Sequence, residues 1–153
     1  MDSTLHHLAS SGMQVAHAQY HKKEFVPGRR AEIKYRELGV TAATVGAMRA
    51  QVMHVEKSSQ PTGWHYHTAD VQFLFAVKGW VRMEFPDLGV ITLSEGDSIV
   101  IPGGVIHQEL CSADNLELLE VSLPAKLGTV NVPAPAWGHE EAQSYGDVSV
   151  PQE

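Results

Sequence analysis

Short segments of alternating apolar and polar residues follow one another along most of the chain, and turn residues separate them. These segments cover residues 31–38, 44–56, 71–77, 79–85, 90–93, 98–101, 105–111 and 116–124. Clusters of turn residues stand between them, as in PDLG at 86–89 and SEGD at 94–97. Segments of about four to eight residues at such even spacing are typical of strands in an antiparallel sandwich or barrel. No segment shows a sustained helical period with caps at both ends, so the pattern predicts an all-β protein.

The length and composition of the chain predict a single domain. A length of 153 residues suits one domain with a hydrophobic core, and 13 glycines and 8 prolines fit a protein with many turns. We predict a barrel at residues 41–124, preceded by an N-terminal extension with a first strand at 1–40 and followed by a C-terminal tail at 125–153. The tail is rich in proline, glycine and charged residues, which favours a surface arm or a partly disordered segment.

The charge balance excludes two classes of partner. The chain has 11 Lys and Arg against 18 Asp and Glu, a formal charge of −7, whereas proteins that bind nucleic acid or anionic membranes present a basic face. No run of about 18 apolar residues is present, so no membrane-spanning segment is expected. The N-terminus lacks the apolar core of a signal peptide, and the single cysteine, Cys111, excludes an internal disulfide. We therefore expect a cytoplasmic protein.

The segment GWHYHTADVQ carries the first candidate chemistry. Side chains two apart on a strand share a face, so His65 and His67 are neighbours. Ala69 and Asp70 fit the central pair of a tight hairpin turn. Such a turn pairs His67 with Gln72, with Cβ atoms roughly 5 Å apart. The two histidines and the glutamine are then expected to converge on one point.

His107 is the best candidate for a fourth partner, since it follows a strand and a sharp Pro-Gly-Gly turn and lies in the next strand. Four ligands from two hairpins suit a metal ion held inside a barrel. The histidine pair alone is weak evidence, because nine histidines in 153 residues make such a pair common by chance. The alternative for the pair alone is two surface histidines on an edge strand.

The wider spacing resembles the two motifs of the cupin family. The first motif is G, five residues, H-x-H, three or four residues, E, six residues, G, and HYHTADVQFLFAVKG follows it from His65 to Gly79. The second motif is G, five residues, P-x-G, two residues, H, three residues, N. The segment GDSIVIPGGVIHQELC follows it with Gly96, Pro102, Gly104 and His107.

Three positions depart from the family pattern. Gln72 stands where the family's glutamate ligand stands, Cys111 replaces the final asparagine, and Ser59 takes the place of the leading glycine. The chain resembles the single-domain cupin polyketide cyclases most closely, and also the cupins that linearise unsaturated uronate sugars. The resemblance implies a small jelly-roll-like β-barrel with one divalent transition metal per chain. The ligands that it implies are His65, His67, Gln72 and His107.

The glutamine bears on the chemistry, because its amide oxygen cancels none of the metal's charge. Three imidazoles and an amide leave the full +2 in the site, which favours Lewis-acid work such as polarising a carbonyl or holding an enolate. Oxygen activation by Fe²⁺ commonly uses a carboxylate ligand, which this set lacks. Imidazole and amide ligands suit Zn²⁺ or Ni²⁺, with Fe²⁺ as the alternative.

We therefore predict a metal-dependent enzyme that acts on a carbonyl-rich small molecule without redox chemistry. The reaction would be a cyclisation, isomerisation or ring opening through a metal-bound enolate. The alternatives are a dioxygenase that uses Fe²⁺ or Ni²⁺ in the same site and a non-catalytic cupin that binds a small ligand. Glu109, two residues after His107, is expected to point inward, either as a general acid or base or as a partner that orients a ligand histidine.

The opposite face of the strand at 71–77 bears on the oligomeric state. Phe73, Phe75 and Val77 are expected to point away from the Gln72 face, and exposed apolar patches of this kind usually meet a partner. Cupins of this kind are commonly dimers, so the resemblance implies the same for this chain. We predict a homodimer, with the alternative that residues 1–40 cover the patch within one chain.

Overall fold

The computed structural model describes residues 11–28, 30–58 and 60–136. These residues form antiparallel strands, one short α-helix, α1 (Val40–Ala43), and a 3₁₀ turn at Tyr20–Lys22. The strands in chain order are β1 (Val26–Pro27), β2 (Ile33–Glu37), β3 (Arg49–Val55), β4 (His65–His67), β5 (Val71–Lys78), β6 (Val81–Phe85), β7 (Gly89–Leu93), β8 (Ser98–Pro102), β9 (Gln108–Ser112), β10 (Leu116–Leu123) and β11 (Thr129–Asn131). β5 (VQFLFAVK) and β8 (SIVIP) are rich in β-branched and aromatic residues, which pack well on a pleated surface, whereas β10 (LELLEVSL) is rich in leucine.

The strands form two layers that face each other across a shared core. The larger layer is a six-stranded sheet in the order β1-β2-β3-β10-β5-β8. The smaller layer contains a three-stranded sheet, β7-β6-β9, and a two-stranded sheet, β11-β4. A bridge between His65 and His107 connects the two small sheets, so β4 lies beside the start of β9. This arrangement is a small jelly-roll-like β-barrel, which confirms the predicted fold class.

The hydrophobic core lies between the two layers. Alternate residues of β5, β6 and β10 point into it, because successive side chains on a strand lie on opposite faces. Leu74, Ala76, Met83, Leu116 and Leu118 are each at most 3% exposed. Burial of one leucine or methionine side chain stabilises a fold by about 1.5–3 kcal/mol. Three members of the cluster, Leu74, Leu116 and Leu118, also line the cavity together with His65 and His67, so the core forms one wall of the site.

The hairpin predicted at Ala69 and Asp70 is wrong. β4, which carries both histidines, pairs with β11, whereas β5, which carries Gln72, pairs with β10 and β8 in the other layer. After β4 the chain therefore crosses from one layer to the other. Two backbone hydrogen bonds hold this crossing, from Ala69 N–H to Leu127 O and from Gly103 N–H to Asp70 O, both at 2.9 Å. These partners are distant in sequence, so the local sequence does not distinguish a crossing from a hairpin.

Most of the predicted strands are present, with ends shifted by a few residues. β1, β11 and α1 lie in segments for which the sequence indicated no regular structure. β11 falls within the predicted tail and pairs with β4, but the division into extension, barrel and tail stays a prediction. Residues 1–10 and 137–153 of the predicted extension and tail lie outside the described residues. None of the helices in the described ranges has the length and apolar composition needed to cross a membrane.

Candidate metal centre

Three histidine side chains meet inside the barrel. His65 and His67 lie on the inward face of β4, as the two-residue period of a strand requires. His107 comes just before β9 and exchanges two backbone hydrogen bonds with His65, at 2.9 and 3.0 Å. The ring centroids are 4.5–5.2 Å apart, and one ring nitrogen from each histidine lies within 4.8 Å of the others. Each side chain is at most 7% exposed. This cluster could hold a metal ion.

Hydrogen bonds at Nδ1 leave Nε2 of the rings for the centre of the cluster. His65 Nδ1 donates to Gly63 O at 2.8 Å, and His107 Nδ1 donates to Val105 O at 2.9 Å. A carbonyl oxygen only accepts, so in the neutral rings Nδ1 carries the proton and Nε2 the lone pair. His67 Nδ1 lies 3.1 Å from a threonine hydroxyl of β11. His107 Nε2 is buried and has no hydrogen-bond partner among the described residues, which fits a metal ligand.

Gln72 reaches the same cavity from β5, in the opposite layer. It is 4% exposed, and it lines the cavity together with His65 and His67. Its Nε2 donates to Glu120 Oε2 at 2.9 Å, whereas its Oε1 is buried without a partner in the part of the chain that the structure describes. An unpaired buried amide oxygen destabilises a fold unless a donor or an ion fills the place. Gln72 therefore suits the predicted ligand role, which stays a proposal.

Glu109 lies at the edge of the histidine cluster. Its Oε2 is 3.7 Å from His65 Nε2, and its Oε1 is 3.9 Å from His107 Nε2. Thr62 Oγ1 donates to Oε2 at 2.7 Å and accepts from the Glu109 N–H at 2.9 Å, so a reciprocal pair of hydrogen bonds orients the carboxylate. The Glu109 side chain is 24% exposed, and it lines the cavity as well. Glu109, which the sequence led us to expect on the inward face, therefore places a carboxylate beside the proposed ligands.

Burial governs the charge of the imidazoles. It lowers the pKa of His67 to about 3, with His65 and His107 adding to the shift, and it lowers the pKa of His107. Both rings are therefore neutral at neutral pH, which is the form that binds a metal. Burial raises the pKa of Glu109, but the facing imidazoles and the hydrogen bond from Thr62 outweigh it and bring the pKa to about 2. The Glu109 carboxylate is therefore ionised at neutral pH, and a metal cation in the cluster would stabilise that form further.

A cavity of about 110 Å³ adjoins the cluster. Tyr35 contributes a phenol whose pKa is raised, chiefly by burial, so the hydroxyl is neutral at physiological pH. Arg30 also lines the cavity, and its Nη1 donates to Gln60 O at 2.8 Å. An apolar cavity with a few polar groups is typical of a small-molecule site. Its aliphatic walls include Ile33, Met53, Val55, Leu74, Leu116 and Leu118.

Sequence reasoning missed the polar residues that support the site. They are Arg49, Gln51, Thr62 and Glu120. A signal for Glu120 existed, because it occupies an inward position of β10 two residues after the buried Leu118. A charged residue at such a position is rarely buried without partners. No comparable signal marks Thr62, which lies in the loop before β4.

The sequence model of the cupin domain family matches residues 51–121 of the chain. No curated protein sequence matches the chain significantly. Among solved structures, KdgF from Halomonas sp. has a TM-score of 0.63 at 16% identity, covering 74% of this chain and 96% of that one. The polyketide cyclase RemF from Streptomyces resistomycificus has a TM-score of 0.61 at 17% identity, covering 86% of this chain and 99% of that one. The Streptomyces nucleoside dehydratase Pac13 has a TM-score of 0.56 at 13% identity, covering 78% and 92%. At these identities the likeness to each of the three is one of fold.

Proposed function

Because this chain belongs to the cupin superfamily, we propose that it is a metal-dependent enzyme that moves a proton next to a carbonyl group of a small molecule. The observation that carries the proposal is the convergence of three histidine nitrogens and the Glu109 carboxylate beside an apolar cavity. A Lewis acid at a carbonyl oxygen and a base at the neighbouring carbon together promote proton removal. Cyclisation, isomerisation and ring opening of carbonyl-rich molecules share this step.

The ligands that we propose for the metal are His65, His67, His107 and Gln72. Three neutral imidazoles and an amide oxygen fit a divalent transition metal, with Zn²⁺ or Ni²⁺ favoured and Fe²⁺ as the alternative. Two of the atoms, His107 Nε2 and Gln72 Oε1, are buried and have no hydrogen-bond partner in the described ranges, which supports this assignment. When bound, the metal would supply Lewis acidity that polarises a carbonyl.

Glu109 is the acid–base residue in this proposal. Thr62 donates to Oε2, so we assign proton transfer to Oε1, which takes a proton from the substrate carbon and returns it at another position. The two hydrogen bonds with Thr62 hold the carboxylate in one orientation before substrate arrives. Because its pKa is held low, Glu109 is a weak base at neutral pH, so its contribution is expected at the lower end of the factor of about 10² to 10⁴ that a positioned base supplies.

The cavity favours a small substrate with an apolar body. Its volume is about 110 Å³, and an engineered cavity of roughly 150 Å³ takes one benzene molecule. One ring or a short chain therefore fits beside the cluster. The aliphatic walls lower the polarity around the cluster, which strengthens the electrostatic interactions of the site. The similar structures include a polyketide cyclase, a nucleoside dehydratase and a salicylate 1,2-dioxygenase, so the proposal of non-redox chemistry rests on the site and not on the likeness of fold.

His67→Ala should lose the metal and the activity together. Dialysed wild-type protein should carry about one divalent transition metal per chain in elemental analysis. Incubated in D₂O under nitrogen with hydroxyacetone and other small hydroxy-ketones, it should exchange the hydrogens next to the carbonyl. His67→Ala removes a ligand, so metal content should fall at least about tenfold, and exchange should stop. His21→Ala, at an exposed histidine of the 3₁₀ turn, is the matched control and should behave as wild type.

Other outcomes separate the alternatives. Wild-type protein that takes up no metal, even on addition, would contradict the proposed site. Activity that stops under nitrogen and returns in air would favour a dioxygenase that uses Fe²⁺ or Ni²⁺. Binding of small ligands without exchange of any of them would favour a non-catalytic binding protein.

A further inference from the structure

A buried carboxylate lies directly behind Gln72. Glu120 on β10 is 8% exposed, and it accepts hydrogen bonds from Gln72 Nε2 at 2.9 Å and from Gln51 Nε2 at 2.7 Å. Arg49 Nη2 lies 3.5 Å from Glu120 Oε1. Oε2 therefore contacts Gln72, while Oε1 contacts Gln51 and Arg49. Such partners are required here, because an unpaired buried charge is strongly destabilising.

The Glu120 carboxylate fixes the orientation of the Gln72 amide, whose side chain lines the cavity together with His65 and His67. A carboxylate only accepts hydrogen bonds, so the amide turns its NH₂ group towards Glu120. The amide oxygen then lies on the opposite side, where it is buried and unpaired within the described part of the chain. The reverse orientation would set two oxygens against each other. It would also direct away from Glu120 an NH₂ group, which is a hydrogen-bond donor and no metal ligand.

We propose that Glu120 is a positioning residue that orients the Gln72 amide with its oxygen towards the metal. Arg49 and Gln51 hold Glu120 in turn, so the contacts run from β3 through β10 to β5. This inference rests on the metal site proposed above. It also explains a glutamine at position 72, because a glutamate there would place a second buried carboxylate against Glu120.

Swapping the side chains at positions 72 and 120, singly and together, tests the inference. Gln72→Glu alone should lower the Tm of the metal-free protein by about 10 °C, because two buried carboxylates then face each other. Glu120→Gln alone should weaken Zn²⁺ binding by about 10- to 100-fold in competition with a chelator, because neither orientation of the Gln72 amide is then enforced. The double variant Gln72→Glu/Glu120→Gln again pairs one amide with one carboxylate.

The double variant gives the sharpest readout. Its metal-free Tm should recover at least half of the loss seen in Gln72→Glu, because the amide at position 120 donates to the carboxylate at position 72. Its Zn²⁺ affinity should equal or exceed that of the wild type, because an anionic oxygen now faces the cation. Glu117→Gln is the matched control on β10. Glu117 is 30% exposed and lies 3.5 Å from His54, so this change should alter neither quantity.

Three results would contradict this inference, and each identifies a different part of it as wrong. If Glu120→Gln has a lower Tm but wild-type Zn²⁺ affinity, Glu120 is a structural residue and the inference is overturned while the metal site stands. If Gln72→Glu and the double variant share the same metal-free Tm, the pairing of the two side chains is overturned. If the wild type binds no Zn²⁺, the proposed function fails together with this inference.

Discussion

At the scale of single residues, the orientation of the histidine rings is set close to each ring. His65 and His107 both donate from Nδ1 to the carbonyl oxygen two residues earlier in the chain, that of Gly63 and of Val105. Because donor and acceptor are so close in sequence, the ring orientation follows directly from the local backbone. Each ring then presents Nε2 to the centre of the cluster without rearrangement, which reduces the ordering that metal binding would require.

Glu109→Gln should separate proton transfer from metal binding. The amide keeps the shape of the side chain but is no base, so exchange of hydroxy-ketone hydrogens in D₂O should slow by at least about 100-fold. Metal content by elemental analysis should stay at the wild-type level, because Glu109 is outside the proposed ligand set. Thr62→Val keeps the carboxylate and removes its hydroxyl partner, so it should slow exchange less. Loss of the metal in Glu109→Gln would instead identify the carboxylate as a ligand.

At the scale of elements, the turn after β8 packs against the crossing that follows β4. Gly104 N–H donates to His67 O at 2.9 Å. A Cβ atom on Gly103 would lie 2.1 Å from Ala69 O, so the close approach of the two backbones requires glycine. This contact sets the position of the segment that leads to His107 relative to the end of β4. The Pro-Gly-Gly turn thus brings His107 close to His65 and His67 on β4.

Gly103→Ala should therefore weaken both the fold and the site. The added methyl group must push the crossing away, which should lower the free energy of unfolding by about 3 kcal/mol in chemical denaturation. Zn²⁺ affinity should fall as well, because the end of β4 moves relative to the turn. Gly104→Ala is the control: among the described residues no atom lies within 4 Å of its Cβ position, but its φ of +81° is strained for alanine. Gly104→Ala should therefore lower the free energy of unfolding by only about 1 kcal/mol. Equal stability of the two variants would contradict the packing argument.

At the scale of the whole molecule, the outer face of the larger layer carries an apolar patch. Phe75, Val77, Val100 and Leu123 lie on the neighbouring strands β8, β5 and β10 and are 36–58% exposed. The N-terminal residues that the structure describes, 11–28 and 30–40, leave these side chains exposed. Apolar patches of this kind usually meet a partner. The oligomeric state stays a prediction.

We expect this patch to form a homodimer. Light scattering at micromolar concentration should give twice the chain mass of 16.7 kDa. Val100→Lys places a charge within the patch and should shift the protein towards monomer. Val90→Lys, at a residue 49% exposed on β7 of the other layer, is the matched control and should leave the mass unchanged. A wild-type protein that is monomeric throughout this range would rule out the dimer.

Local patterns in the sequence determined the strands and the centre of the site. Alternation of apolar and polar residues locates the longer strands, and the two-residue period places His65 and His67 on one face. Motif spacing singles out His107, because the Pro-Gly-Gly turn and the strand after it fix its place relative to β8. All of these inferences depend on backbone geometry over a few residues, which a single sequence contains.

Only the tertiary structure decided from which layer Gln72 reaches the histidines and which polar side chains support the site. Gln72 reaches the cavity because β5 lies in the opposite layer, and Glu120 lies behind it although 48 residues separate the two. Thr62 donates a hydrogen bond to Glu109, although 47 residues separate them along the chain. The period of a strand determines the face on which a side chain lies, but not which strand lies beside it. Strand pairing follows from burial of the whole core, a sum of many long-range contacts that no local pattern contains.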